Sequence, residues 1–260
     1  MTAQAAEIQE LLDVAVELAQ AAGDHSLRYY GHLVDHAAKG DGSPVTQADR
    51  EGEQLIREQL ALRYPEHGIL GEEYGETNPG ARVRWILDPI DATLSFMRGV
   101  PLYGVLIGVE VDGRPAVGVS HFPPLRETLA AGTGLGCTWN GKPCRVSPVA
   151  RLEDAVVLTT DLRTIERSAK DPGWPQLVSR ARIARTWGDC YGHALVATGR
   201  AEVAIDPAMH VWDCGPFPPI LTEAGGYFGD WQGQPTIYAN EALATTQTLL
   251  PELLRVLQGD

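Results

Sequence analysis

Basic residues are scarce in this chain. Lysine and arginine total 21 against 34 aspartates and glutamates, giving a formal charge of −13 over 260 residues. They cluster nowhere, which argues against a nucleic-acid backbone or an anionic membrane as partner. Cysteine is rarer still. Cys137, Cys144, Cys190 and Cys214 form no C-x-x-C pair, so no zinc framework is indicated and free thiols are expected. No apolar run approaches the ~18 residues that suggest a membrane span. The first 22 residues carry Glu7, Glu10, Asp13 and Glu17 in an amphipathic pattern, not a basic segment followed by an apolar block. Internal repeats and low-complexity tracts are also missing. The expectation is a cytoplasmic protein.

What the chain does have is enough apolar material, 44%, to bury a sizeable core. Ile8, Leu11, Leu12, Ala15, Leu18, Ala19 and Ala22 recur at helical spacing and predict a long helix ending near Gly23. Gly31 to Ser43 reads as a polar loop. A second helix follows Thr46, turns Leu55, Ile56 and Leu60 inward and stops before Pro65. Val83, Trp85 and Leu87 mark a strand running straight into Asp88. Asp112-Gly113 and Asn140-Gly141 mark hairpins. From about Val149 strands and helices alternate, with one helix expected from Trp212 to Ala224 and a last one from Leu243 to Leu257. This divides the chain into an α+β half, residues 1–148, with a largely antiparallel sheet, and an α/β half, residues 149–260.

Three acidic clusters stand at element boundaries: Gly71-Glu72-Glu73, Asp88-Pro89-Ile90-Asp91-Ala92-Thr93, and Trp212-Asp213. A surface this negative repels phosphate esters, so a phosphate site here needs a local cation, and a divalent metal supplies one. Magnesium takes hard oxygen ligands, usually a few carboxylates, water and a substrate phosphate. Pro89 is expected to turn the chain out of the strand, so that two aspartates three apart share a cavity with the Ile90 carbonyl between them. Ala92 and Thr93 then open a short helix whose free N–H groups suit a phosphate. Each acid also has a purely structural reading. Asp91 fits as a helix cap, Asp213 as a favourable charge at a helix start, Glu72 and Glu73 as a solvated turn, and Asp49 as part of the capping box Thr46-x-x-Asp49.

Val45-Thr46-Gln47-Ala48-Asp49, Gly71-Glu72-Glu73, Trp85 to Thr93, and Trp212-Asp213 with Glu223-Ala224-Gly225-Gly226 occur in one order. This set resembles the inositol monophosphatase family. Ser95 to Pro101 and Arg185 to Tyr191 are most similar to its bacterial histidinol-phosphatase branch. The resemblance implies a layered α-β-α-β-α sandwich and a homodimer. It further implies a Mg²⁺-dependent phosphomonoesterase acting on a small phosphate ester by metal-activated water, with no phosphoenzyme. Two or three Mg²⁺ would be held by Glu72, Asp88, the Ile90 carbonyl, Asp91 and Asp213. Thr93 and Asp49, with Glu72, would orient or deprotonate the water, and Asp91, Ala92 and Thr93 would take the phosphate. Gly188, Asp189 and Asp206 are the candidates for substrate contact. A second carboxylate there suits a cationic amine, as in histidinol phosphate.

Inositol, fructose-bisphosphate and nucleotide-type phosphatases of the same family remain open, as does a catalytically weak binding relative. A dehalogenase-type phosphatase would need aspartates two apart, not three. Ala92 stands where the family usually has glycine. As an ordinary first-turn helix residue alanine is harmless, which is the expectation; at positive φ its β-carbon would be costly. Pro216, Pro218 and Pro219 predict a late or irregular start to the helix after Asp213.

Overall fold

The computed structural model describes residues 2–31, 36–38, 44–168 and 173–259. Thr2 caps the first helix by accepting the Ala5 N–H, and α1 runs over Ala3–Ser26. It passes the stop expected at Gly23 because that glycine serves packing: a β-carbon there would lie 2.5 Å from the His121 ring. The loop expected over residues 31–43 falls partly outside the described residues. Inside it, β1 (His36–Ala38) pairs antiparallel with β2 (Pro44–Thr46). Next, α2 (Gln47–Arg63) leads to β3 (Gly68–Gly71), β4 (Gly75–Thr77) and β5 (Val83–Asp91). Pro89 does not end β5, which continues to Asp91 through a register irregularity between Asp88 and Asp91. A short α3 (Thr93–Met97) precedes β6 (Gly104–Val111), β7 (Arg114–Phe122), β8 (Glu127–Gly132), β9 (Gly136–Trp139) and β10 (Lys142–Pro143). Both predicted hairpin turns form, with Asp112 and Asn140 at positive φ.

These strands build an eight-stranded sheet in the order β10-β9-β8-β7-β6-β5-β3-β4, antiparallel except for the β3–β5 pair. The rest of the chain contributes β11 (Val156–Leu158), α4 (Leu162–Arg167), α5 (Trp174–Arg180), β12 (Ile183–Arg185), α6 (Asp189–Ala197) and β13 (Val203–Asp206). It closes with α7 (Val211–Cys214), α8 (Phe217–Glu223), β14 (Gly226–Gly229), β15 (Ala242–Thr246) and α9 (Leu250–Gln258). The five-stranded sheet reads β12-β11-β13-β15-β14, with β11 parallel to both neighbours.

Two of the expected helices take a different form. The segment from Trp212 to Ala224 divides into α7 and α8, because Pro216 has no N–H to continue the first, while Pro218 and Pro219 sit in the opening turn of the second. Residues 242–246 form β15, paired with β13 and β14, so the last helix begins only at Leu250.

Three apolar interfaces make the sandwich. Ile8, Leu18, Ile56 and Leu60 of α1 and α2 pack on Trp85, Leu87 and Ile107 across one face of the large sheet. Its other face, through Ile86, Leu106 and Phe122, meets α6 and α8, which also touch Phe228 and Ala244 of the small sheet. Val157, Val203 and Leu243 then carry α5 and α9 on the outside, through Leu177, Leu253 and Val256. The layers are therefore helix, sheet, helix, sheet, helix, as the resemblance implies. The middle helices approach the large sheet closely at one place. Gly108 and Gly118 are cross-strand partners on β6 and β7, and β-carbons there would meet the Gly215 carbonyl at 2.6 Å and the Pro216 carbonyl at 1.9 Å. The Gly108–Gly118 pair is a trench that seats the link between α7 and α8.

Candidate active site

That seating carries Asp213 to the end of β5. Asp88, Asp91 and Asp213 each offer a carboxylate oxygen, and these atoms all lie within 4.8 Å of one another. Asp88 is buried, and Asp91 and Asp213 are half-buried. Each also has one oxygen held by a backbone N–H. Asp88 Oδ1 accepts from Ile90 at 3.0 Å, Asp91 Oδ2 from Cys190 at 2.7 Å, and Asp213 Oδ2 from His210 at 2.7 Å. The last of these is half of a capping box on α7, so Asp213 caps a helix and faces the cluster at once.

Carboxylates gathered this way resist ionisation. Burial, followed by the Glu72 charge, holds Asp88 well above the usual carboxylate range. Burial, then the Asp213 charge, pushes Asp91 up to about 7. Asp213 is also pushed up to about 7, first by burial. Glu72 thus stands close enough for its charge to act on all three. A divalent cation would relieve this repulsion. The donor set is all hard oxygen, without histidine or cysteine, and its backbone N–H partners fix the orientation of each ligand; this fits Mg²⁺ better than a soft metal.

The turn bearing Glu72 is organised by a residue the sequence reading missed. Glu53, fully buried on α2, accepts from the Glu73 N–H at 2.7 Å and the Tyr74 N–H at 3.2 Å, and pairs with Arg57 at 2.7 Å. An acid on the apolar stripe of a helix was the available signal.

Asp49 splits its oxygens in the same manner. Oδ2 accepts from the Thr46 N–H at 2.8 Å and from the Thr46 hydroxyl, completing the capping box on α2. Oδ1 lies 3.4 Å from the Thr93 hydroxyl, which also reaches the Ile90 carbonyl at 3.2 Å. Asp49 is fully buried. Between these groups, Ala92 is the N-cap of α3 with φ 66° and ψ 48°, the left-handed region, not a residue of the helical first turn. The first bond of α3 runs from the Phe96 N–H to the Ala92 carbonyl, so the Ala92 and Thr93 N–H groups precede the helical ladder.

The substrate-side candidates sit around the start of α6. Gly188 is its N-cap, and Asp189, at φ 50°, is its first residue. The Asp189 N–H donates to Thr160 Oγ1 at 2.6 Å, and burial raises the carboxyl to about 7. Asp206 is buried at the end of β13. Its Oδ1 accepts from the Thr160 N–H at 2.8 Å and the Thr159 hydroxyl at 3.2 Å. Its Oδ2 faces His193 of α6 at 3.9 Å. Asp206 and Asp189 therefore grip the same Thr160, one through its backbone and one through its side chain. Thr160 and His193 escaped the sequence reading because no local pattern marks them.

Comparison with known proteins agrees with this geometry. The model of the inositol monophosphatase family matches residues 7–258. A histidinol-phosphatase of Chlorobaculum parvum is 43% identical over 92% of this chain and 93% of its own. One of Mycobacterium tuberculosis is 35% identical, covering 83% of this chain and 85% of its own. The crystal structure of the extragenic suppressor protein suhB from Bartonella henselae superposes with a TM-score of 0.89 at 29% identity, over 96% of this chain and 98% of that one. With the sandwich, the acid cluster and these relatives in agreement, the chain belongs to the inositol monophosphatase family of phosphatases.

Proposed function

We propose that this protein is a Mg²⁺-dependent phosphomonoesterase and that its substrate is histidinol phosphate. The observation that carries the first part is that Asp213, from a distant part of the chain, comes within 4.8 Å of Asp88 and Asp91 on β5. Asp88, Asp91, Asp213, Glu72 and the Ile90 carbonyl would hold two or three Mg²⁺. When bound, the metal neutralises phosphoryl charge and lowers the pKa of a water.

The remaining work falls to the chain's own groups. The Ala92 and Thr93 N–H groups, beside Asp91, hold the phosphoryl oxygens. The Thr93 hydroxyl orients the attacking water and would take a proton from it while passing its own to Asp49 Oδ1, and Asp49 Oδ2 stays anchored on Thr46. Glu72 shares in positioning that water. Phosphoryl transfer depends chiefly on such positioning and charge neutralisation.

The substrate assignment rests on two supports. The relatives named histidinol-phosphatase match 92% and 83% of the chain. At the start of α6, Asp189 presents a carboxylate beside Gly188 that suits a cationic amine, with Asp206 behind it fixing Thr160. We place the protein in the cytoplasm, as a homodimer.

Phosphate release from histidinol phosphate, inositol 1-phosphate and fructose 1,6-bisphosphate, with and without Mg²⁺, tests both parts. Histidinol phosphate is expected to lead by at least tenfold in kcat/KM, and Asp189→Asn to erode that lead chiefly through KM. Equal turnover of the three esters would refute the substrate, and silence on all of them with Mg²⁺ would refute the enzyme.

A further inference from the structure

At the β10 edge of the large sheet, two thiols face each other. Pro143 pairs with Thr138, so the next residue, Cys144, comes opposite Cys137, and its N–H donates to the Cys137 carbonyl at 3.1 Å. The two Sγ atoms lie 3.4 Å apart, and neither cysteine is in a disulfide. Directly opposed residues of an antiparallel pair have Cα atoms about 4.5–5.5 Å apart. That span lies inside the ~4.4–6.8 Å that a disulfide bridges. The strand pairing is thus compatible with a disulfide, and the two sulfurs are already in contact.

We propose that Cys137 and Cys144 form a reversible oxidation site that reacts with a hydroperoxide and closes to a disulfide.

The two thiols differ in the way such a site requires. Cys144 is half-buried, whereas Cys137 is buried. The hydrogen bond between the thiols and the positive charge of Arg200 draw the Cys144 pKa downward, while the same hydrogen bond and burial push Cys137 up. Arg200 is fixed there by its place over the Trp139 ring, 4.3 Å from the centroid, by a bond to Thr198 and by an ion pair with Glu127 at 3.1 Å that offsets part of its charge. Being the one a peroxide can reach, Cys144 is the attacking sulfur and the buried Cys137 the resolving thiol.

The Cys144 thiolate attacks one oxygen of the peroxide and breaks the O–O bond. The leaving hydroxide takes a proton to become water, and Cys144 becomes a sulfenic acid. The Cys137 sulfur then attacks the Cys144 sulfur and expels the sulfenic oxygen, which takes the Cys137 proton and leaves as a second water. Two thiols are oxidised by two electrons in all, and one peroxide is reduced to water. The remaining cysteines, Cys190 and Cys214, are buried, and burial raises both thiols far above their ordinary value.

The test treats the intact protein with hydrogen peroxide, then counts thiols and maps peptides by mass. The expected result is loss of two of the four thiols, a 137–144 crosslink, a mass lower by two hydrogens, and full recovery with dithiothreitol. Cys137→Ser should instead accumulate a sulfenic or more oxidised Cys144, and Cys144→Ser should slow peroxide consumption at least tenfold. Since each variant leaves the acid cluster intact, unchanged phosphate release serves as the check on folding. A Cys144 that overoxidises in the wild type while Cys137 keeps its thiol would overturn the proposal. So would crosslinks between chains in place of the 137–144 bond.

Discussion

Ala92 holds a backbone conformation that suits glycine better, and this makes Ala92→Gly a sharp test of the site's geometry. With φ 66° and ψ 48°, its β-carbon crowds the following carbonyl, a strain of about 1–2 kcal/mol for an L-residue. Glycine removes that strain but enters folding from a more flexible unfolded chain, which returns about 0.4–1 kcal/mol of the gain. The net expectation is a stabilisation of about 0.5–1 kcal/mol. For a chain of this size that corresponds to roughly 1–4 °C in Tm. Urea unfolding should show it as a higher midpoint at constant slope. Ala92→Val should move the other way and by more, because a β-branched side chain tolerates this region least. The Ala92 and Thr93 N–H groups keep their places in the glycine variant, so kcat/KM is expected to stay within about threefold, under 1 kcal/mol. A glycine variant less stable than the parent by about 0.5 kcal/mol, the predicted gain with its sign reversed, would refute the left-handed assignment.

Asp88, Glu53 and His193 probe the acid cluster, the Glu72 turn and the α6 side of the site. Asp88→Asn should lower kcat by about 10³-fold, several kcal/mol of transition-state stabilisation. In metal-free buffer its Tm should not fall, since it removes a buried, repelled carboxylate; EDTA should silence the parent and added MgCl₂ restore it. Glu53→Ala strands the Glu73 and Tyr74 N–H groups and leaves Arg57 without its partner on Glu53. A loss of about 2–4 kcal/mol in urea unfolding is expected, with kcat falling through displacement of Glu72. Burial lowers His193 to about 4, so the folded chain keeps it neutral while the unfolded chain takes up a proton below about 6.5. More protons on the unfolded state mean that stability falls as pH drops through that interval, by about 2–4 kcal/mol in all from this group. The stability difference between wild type and His193→Asn, with Asp206 present in both, should therefore shift toward the variant from pH 7 to pH 4; a difference flat in pH would refute it.

The acidic positions were legible in the sequence because each stands at an element boundary, where helix starts and strand ends attract carboxylates. That same placement made a capping role and a catalytic role look like rivals. In the folded chain the two need not exclude each other. A carboxylate has two oxygens: Asp49 gives Oδ2 to a backbone N–H of a capping box and leaves Oδ1 toward Thr93, and Asp213 accepts a capping-box N–H while its carboxylate stands in the acid cluster. Single-sequence reasoning assigns a residue one role and so undercounts it. Other features were illegible for a different reason. Residues 242–246 carry apolar spacing that fits a helix, and only pairing with β13 and β14 makes them a strand. Thr160 and His193 matter through partners 46 and 13 positions away in the chain, Asp206 in both cases. Ala92 looked like a good helix former, and its conformation is dictated by the turn from β5 into α3.

The prolines after Asp213, which on sequence grounds predict a late or irregular helix start, help secure its placement. Breaking the helix at Pro216 lets the link between α7 and α8 sink into the Gly108–Gly118 trench, with backbone against backbone. Side chains of any size at those two strand positions would hold the link outward, and Asp213 with it. The break also gives α7 a start of its own, and with it the His210–Asp213 capping contact that orients the carboxylate. On the other side, β5 meets the trench strand β6 as its direct neighbour, so Asp88 and Asp91 are aligned by the same sheet that receives the link. When ionised, the members of this cluster repel one another. It is held together by packing that leaves Asp213 nowhere else to go, and the cation that the cluster would bind then meets a site already shaped for it.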